Sequence, residues 1–143
     1  MKRLVTTALI ILQSNLLFAG PTYRLAHQKH TITVVGTGYV GLITGVCLAE
    51  FDHTVICVDN DEKKIQMLKN GIIPIYEPGL DALITQLVQT DRLSFTTDLD
   101  EAIESADTVF IAVGTPMGSD GCADLSAVNS VMESIIPHLD RYK

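Results

Sequence analysis

The sequence predicts an α/β fold with a doubly wound parallel sheet, preceded by an N-terminal extension over residues 1–30. Three observations carry that expectation. From residue 31 onward, short β-branched runs alternate with helical stretches, the pattern of successive βαβ units. The first run leads directly into a glycine-rich turn and a helix, and the second ends in an acidic residue. No internal repeat or low-complexity segment breaks the alternation.

Thr31–Val35 is the first expected strand, and Tyr39–Phe51 the helix after it, with Val40, Thr44, Cys47, Leu48 and Phe51 along one stripe. Thr54–Val58 is a second buried strand. Asp61–Asn70 is a helix opened by acidic residues, which suit its positive end, and closed by Gly71 in the left-handed position. Leu80, Leu83, Ile84, Leu87 and Val88 mark a further helical stripe. Leu93–Phe95 is a short third strand. Asp98 and Glu101 have capping-box spacing for a helix running to about Ser105. Thr108–Val113 is the fourth strand, and from Asp124 the positions Leu125, Val128, Val131, Met132, Ile135 and Ile136 define a last helix ending near His138. Four strands in the order 3-2-1-4 make an incomplete sheet whose fourth strand lies at an edge, where a fifth is expected after Lys143. An open edge of that kind predicts self-association.

With 143 residues, 47% hydrophobic and 19% charged, the chain has the composition of one globular domain, residues 31–143. Those residues hold all 17 carboxylates and six of the ten Lys and Arg, a formal charge of −11 against −7 for the whole chain. Such a charge repels phosphate backbones and anionic lipid, which excludes nucleic acid and membrane surfaces as partners. Cys47, Cys57 and Cys122 have neither metal-ligand nor paired spacing, so no metal site and no disulfide framework is expected. Free thiols suit a reducing, cytoplasmic setting. Residues 1–19 have a basic start and a mostly apolar run, so export behind a signal peptide and a plain upstream extension both stay open.

Gly36, Gly38 and Gly41 form G-x-G-x-x-G between the first strand and its helix. The first glycine permits a tight turn, the second lets backbone approach a pyrophosphate, and the third lets helix and strand pack closely. Amides at the helix N-terminus then face the anion. Asp59, at the end of the second strand, is placed to accept hydrogen bonds from both hydroxyls of an adenosine ribose, and its charge would repel a 2′-phosphate. The cofactor expected on a Rossmann-type sheet of this kind is therefore NAD rather than NADP. FAD is the rival ligand, because the same turn serves both.

Three further stretches go beyond a generic fold: Gly71-Ile72-Ile73-Pro74-Ile75-Tyr76-Glu77-Pro78-Gly79-Leu80, Val113-Gly114-Thr115-Pro116 and Asp120-Gly121-Cys122-Ala123-Asp124-Leu125. Together with Gly36-Thr37-Gly38-Tyr39-Val40-Gly41 they resemble the start of the UDP-glucose/GDP-mannose dehydrogenase family, over essentially all of residues 31–143. The resemblance implies an NAD-dependent oxidoreductase that turns the C6 alcohol of a nucleotide sugar into a carboxylate in two hydride transfers. It favours UDP-glucose as substrate, with GDP-mannose, another nucleotide sugar, or a truncated nucleotide-binding module without activity as alternatives. It places Tyr39 in the cofactor-binding turn, Val40 along the pyrophosphate, Asp59 and Lys64 at the adenosine end, and Thr115 on the nicotinamide side. The Glu77-Pro78-Gly79 loop would border the active site. The family's catalytic cysteine, with its assisting lysine and asparagine, belongs to a later domain, so no catalytic residue is expected here and the chain alone should turn over no substrate.

Simpler readings stand beside these. Lys64 is also placed as a solvated helix lysine, Glu77 as a cap for the helix starting near Leu80, and Tyr76 as a cover for the core. Cys47 and Cys57 fall on apolar stripes and are expected to be buried, and Cys122 to be an exposed thiol. Asp120 and Asp124 lack calcium-loop spacing, which leaves Asp124 as a helix cap.

Overall fold

The first strand, β1 (Thr31–Val35), lies inside a four-stranded sheet, between β2 (Thr54–Val58) and β4 (Thr108–Ile111). β3 (Leu93–Thr96) pairs beyond β2, every pairing is parallel, and the order is β3-β2-β1-β4. The structure is a computed structural model that describes residues 28–139, so the readings for residues 1–27 and for a fifth strand lie outside the described residues. β1 is buried at Ile32, Thr33, Val34 and Val35, as expected of a parallel strand covered on both faces.

The connecting helices are α1 (Tyr39–Glu50), α2 (Glu62–Lys69), α3 (Leu80–Gln89), α4 (Leu99–Glu104) and α5 (Ser126–Ile135), the last running into a 3-10 turn over Ile136–His138. Alternation along β1 divides the two faces. Ile32 and Val34 join one core with Leu42, Val46 and Ala49 of α1 and Ile84 and Leu87 of α3. Thr33 points the other way, and its buried hydroxyl donates to the Ala102 carbonyl oxygen at 2.7 Å, tying α4 to the opposite face.

Local signals place most helix ends. The Asp61 carboxylate caps α2 by accepting from the Lys64 amide at 3.1 Å. Gly71, at φ 73°, ends it, with the amides of Gly71 and Ile72 donating to the Leu68 and Met67 carbonyls in a Schellman arrangement. Asp98 caps α4 through the Glu101 amide. The reciprocal half of the expected box is not formed, because the Asp98 amide donates instead to the Thr96 hydroxyl.

Several expectations are corrected. The buried face of α1 is Gly41, Leu42, Gly45, Val46 and Ala49, whereas Val40 and Phe51 are exposed and Cys47 lies on the surface. Gly41, Gly45 and Ala49 bring that face close to the sheet while Leu42 and Val46 fill the core beside them, which leaves Val40 and Phe51 on the outer side. β4 ends at Ile111, two residues early, because β1 ends at Val35 and the ladder closes with the Ala112 amide on the Val35 carbonyl. α5 begins at Ser126, with Asp124 accepting from the Ser126 amide just outside the helix. On the expected α5 stripe only Ile135 is fully buried, and Leu125, Met132 and Ile136 are exposed. Tyr76 covers no core, being 93% exposed.

Candidate nucleotide-binding cleft

Parallel pairing puts the carboxyl ends of all four strands on one side, and a cleft of about 420 Å³ opens there. Gly36 and Gly38 of the turn, Asp59 and Asn60 after β2, and Lys64 of α2 line one part of it. Thr97 and Leu99, the Ala112–Gly114 segment, and Ala127, Ser130, Val131 and Ser134 of α5 complete the wall. Asp59 and Lys64 are the charged side chains among these.

The turn is shaped by close approaches. Gly36 has φ 104°, and a Cβ there would lie 2.6 Å from the Ala112 carbonyl oxygen. A Cβ on Gly41 would overlap the Gly36 carbonyl oxygen, so α1 starts directly against the turn. Gly38 lines the cleft, and a Cβ there would meet nothing within 4 Å. As N-cap of α1 it brings no side-chain hydrogen bond, and the first turn carries no acidic residue. The leading amides and the positive end of the helix are thus left for an anion, which is what a pyrophosphate requires.

Asp59 is the hub of the polar groups. Its Oδ2 accepts from the Thr37 amide at 2.8 Å, the Thr37 hydroxyl at 2.7 Å and the Lys64 ammonium at 2.9 Å. Oδ1 accepts from the Asp61 amide at 3.0 Å. Burial opposes ionisation of this carboxyl, but the hydrogen bonds from Thr37, Lys64 and the Asp61 amide outweigh it and hold the pKa at about 2. Asp59 is therefore a fixed anion, 8% exposed, beside a lysine whose side chain is 31% exposed. Its Oδ2 acceptor capacity is filled, and Oδ1 retains room for one more donor. Lys64 spends one N–H on the carboxylate and keeps two.

Gly36, Gly38, Asp59 and Lys64 come together here as the sequence predicts, and Gly41 packs behind the turn. Tyr39 and Val40 are 58% and 68% exposed on the first turn of α1 and lie outside the cleft lining. The Tyr39 hydroxyl donates to Glu77, and that hydrogen bond raises the tyrosine pKa. The Glu77 side chain is thereby committed to Tyr39; Gly79 is the N-cap of α3, and Glu77 contributes only its backbone carbonyl, to the Leu80 amide. Thr115 lies in the exposed loop after β4, also outside the lining. Cys57 is buried, which pushes its thiol up to about 12, and Cys122 is exposed.

Thr37 is the residue the sequence reading passes over. It occupies a variable position of the motif, yet it is 1% exposed and bonds Asp59 twice. A hydroxyl between two motif glycines, facing a strand that ends in aspartate, is the signal that could have found it. The α5 contribution from Ser130 and Ser134 was equally hidden, since only packing brings that helix over the cleft.

Comparison with known proteins agrees with this geometry. Residues 30–143 match the model of the NAD-binding domain of the UDP-glucose/GDP-mannose dehydrogenase family. The chain is 53% identical over 112 residues to a UDP-glucose 6-dehydrogenase of Bacillus subtilis strain 168, covering 78% of this chain and 24% of that protein. Against the UDP-glucose 6-dehydrogenase of Rhizobium meliloti it is 54% identical, covering 78% and 26%. Among solved structures, a UDP-glucose dehydrogenase of Pyrobaculum islandicum superposes with TM-score 0.73 at 36% identity, over 81% of this chain and 27% of that one. A ternary complex of the GDP-mannose dehydrogenase of Pseudomonas aeruginosa gives TM-score 0.70 at 44% identity, over 73% and 24%. The chain spans about a quarter of the length of these relatives.

Proposed function

The chain belongs to the UDP-glucose/GDP-mannose dehydrogenase family, and from that premise we propose that it is the NAD-binding portion of a UDP-glucose 6-dehydrogenase, an enzyme converting UDP-glucose and two NAD to UDP-glucuronate. The observation that carries the cofactor half of this reading is the Asp59–Lys64 pair at the end of β2, beside the uncapped start of α1. Similarity to several UDP-glucose 6-dehydrogenases favours that substrate over GDP-mannose.

The residues present fit the cofactor. Gly36, Gly38 and the leading amides of α1 would hold the pyrophosphate, with Gly41 keeping the helix close, and the resemblance assigns Tyr39 and Val40 to the same turn. Oδ1 of Asp59 and the spare N–H groups of Lys64 would hold the hydroxyls of the adenosine ribose. The resemblance assigns Thr115, in the loop after β4, to the nicotinamide side, where the ring would supply the hydride acceptor. Glu77 orients Tyr39 at the turn.

This chain alone turns over no substrate, in our reading, because a two-step oxidation that holds its aldehyde covalently needs a nucleophile in the cleft. Cys57 is buried in the core, Cys47 and Cys122 are exposed, and none lines the cleft. Residues 1–30 are taken as an extension outside the domain, which the family match from residue 30 supports. Three unpaired thiols favour the cytoplasm. No helix among the described residues is long and apolar enough to cross a membrane.

Titration calorimetry of the full chain tests the reading. NAD binds, NADP binds at least tenfold more weakly, and Asp59→Ala costs about 1–3 kcal/mol of NAD affinity through loss of a charge-assisted bond. NADP binding as tightly as NAD would sink the assignment. Steady NADH formation from UDP-glucose by monodisperse chain would refute inactivity.

A further inference from the structure

Lys64 poses a question that ribose binding does not answer. The cleft is lined by one anion and one cation, and they touch: Lys64 Nζ is 2.9 Å from Asp59 Oδ2. Lys64 is held there at both ends. Its amide is the donor that Asp61 caps, which fixes its backbone, and its ammonium rests on a carboxylate that Thr37 clamps through two further bonds to the same oxygen. A 2′-phosphate on the adenosine ribose would arrive beside this pair. It would meet an ammonium whose charge is already balanced and a carboxylate that repels it.

Resting on the NAD reading above, we infer that Lys64 is a latent 2′-phosphate site which Asp59 neutralises, so that the choice of NAD over NADP belongs to the pair and not to the aspartate alone. Repulsion by an unpaired carboxylate and masking of a neighbouring cation exclude the same ligand, but they respond differently to mutation. In the first case Lys64 is indifferent to the 2′-phosphate. In the second, Lys64 already offsets part of the repulsion, and removing Asp59 leaves the lining with a single uncompensated positive charge. An ammonium on a flexible stem serves as a point-charge phosphate binder without the planar fit that arginine requires. Thr37 is a positioning residue in this scheme, since its amide and hydroxyl keep the carboxylate where Lys64 finds it.

The experiment measures NAD and NADP affinities by titration calorimetry on the full chain and on Lys64→Ala, Asp59→Asn and the double variant, each checked for a cooperative thermal transition. In Asp59→Asn, NADP binding tightens tenfold or more, and the double variant loses that gain. In Lys64→Ala, a change on a partly exposed helix position that leaves the fold intact, NADP weakens at least fivefold more than NAD does. Equal weakening of the two dinucleotides by Lys64→Ala overturns the inference, as does an NADP gain that survives in the double variant. Should Asp59→Asn fail to fold, the Lys64→Ala ratio decides alone. Absence of binding of either dinucleotide to the unmodified chain overturns the NAD reading itself, which separates the two failures.

Discussion

Asp59 accepts four hydrogen bonds from its own chain, so its ionised state is built into the fold as well as the cleft. The sign of the resulting pH dependence follows from the depressed pKa. An unfolded aspartate titrates near 3.9, and the folded carboxyl near 2, so the stabilisation is complete above about pH 4 and is lost as pH falls toward 2. It amounts to about 1–2 kcal/mol after allowance for solvent at the cleft mouth. Chemical denaturation from pH 6 to pH 2 checks this: the stability gap between the natural chain and Asp59→Asn should narrow across that window. A gap that stays constant would show that the bonds do not depend on the charge. Asp59 itself was legible in the sequence as an acid at a strand end. Its saturation by Thr37 and Lys64 was not, because donor counts depend on side-chain placement that spacing does not encode.

At the scale of elements, strands and helix ends were the legible part, since two-residue alternation and caps are local chemistry. The face of α1 was misread for a definite reason. Weighing bulk favoured Val40 and Phe51, whereas close approach favours the small series Gly41, Gly45 and Ala49. Gly45 shows how tight the fit is, for a Cβ there would lie 2.6 Å from the Cys57 sulfur. Gly45→Ala should therefore destabilise the domain by about 1–3 kcal/mol despite alanine's better helix propensity. Adding Cys57→Ala, which removes the obstructing sulfur, should restore part of the loss. A double-mutant cycle read by denaturant melts checks it, and strictly additive effects would contradict a contact between the two sites. The same close approach recurs in the turn before α1, where a Cβ on Gly36 or Gly41 would collide with backbone.

For the molecule as a whole, the edge at β4 is the exposed feature. Among the described residues β4 pairs only with β1, and Phe110 on it is 41% exposed. A strand with one side open is a template for pairing with another chain. Sedimentation of the full chain should show concentration-dependent self-association, reduced by Phe110→Lys, which places a charge on the edge; a monomer at every concentration would count against the edge as an interface. The position of β1 between β2 and β4 has a different consequence, in time. Beside β2 it is bridged by His30 and His53, 23 residues apart, whereas beside β4 the Thr31 amide meets the Asp107 carboxylate across 76 residues. A chain emerging from the ribosome can therefore zip β1 to β2 long before β4 is made, and must hold the other side of β1 open meanwhile. In pulse-labelled refolding, amides of β2 should gain protection ahead of those of β4, and simultaneous protection would show that the sheet assembles in one step. For the length of that interval the central strand of the finished sheet is an edge, and that is when a chaperone, or a neighbouring nascent chain, would find it.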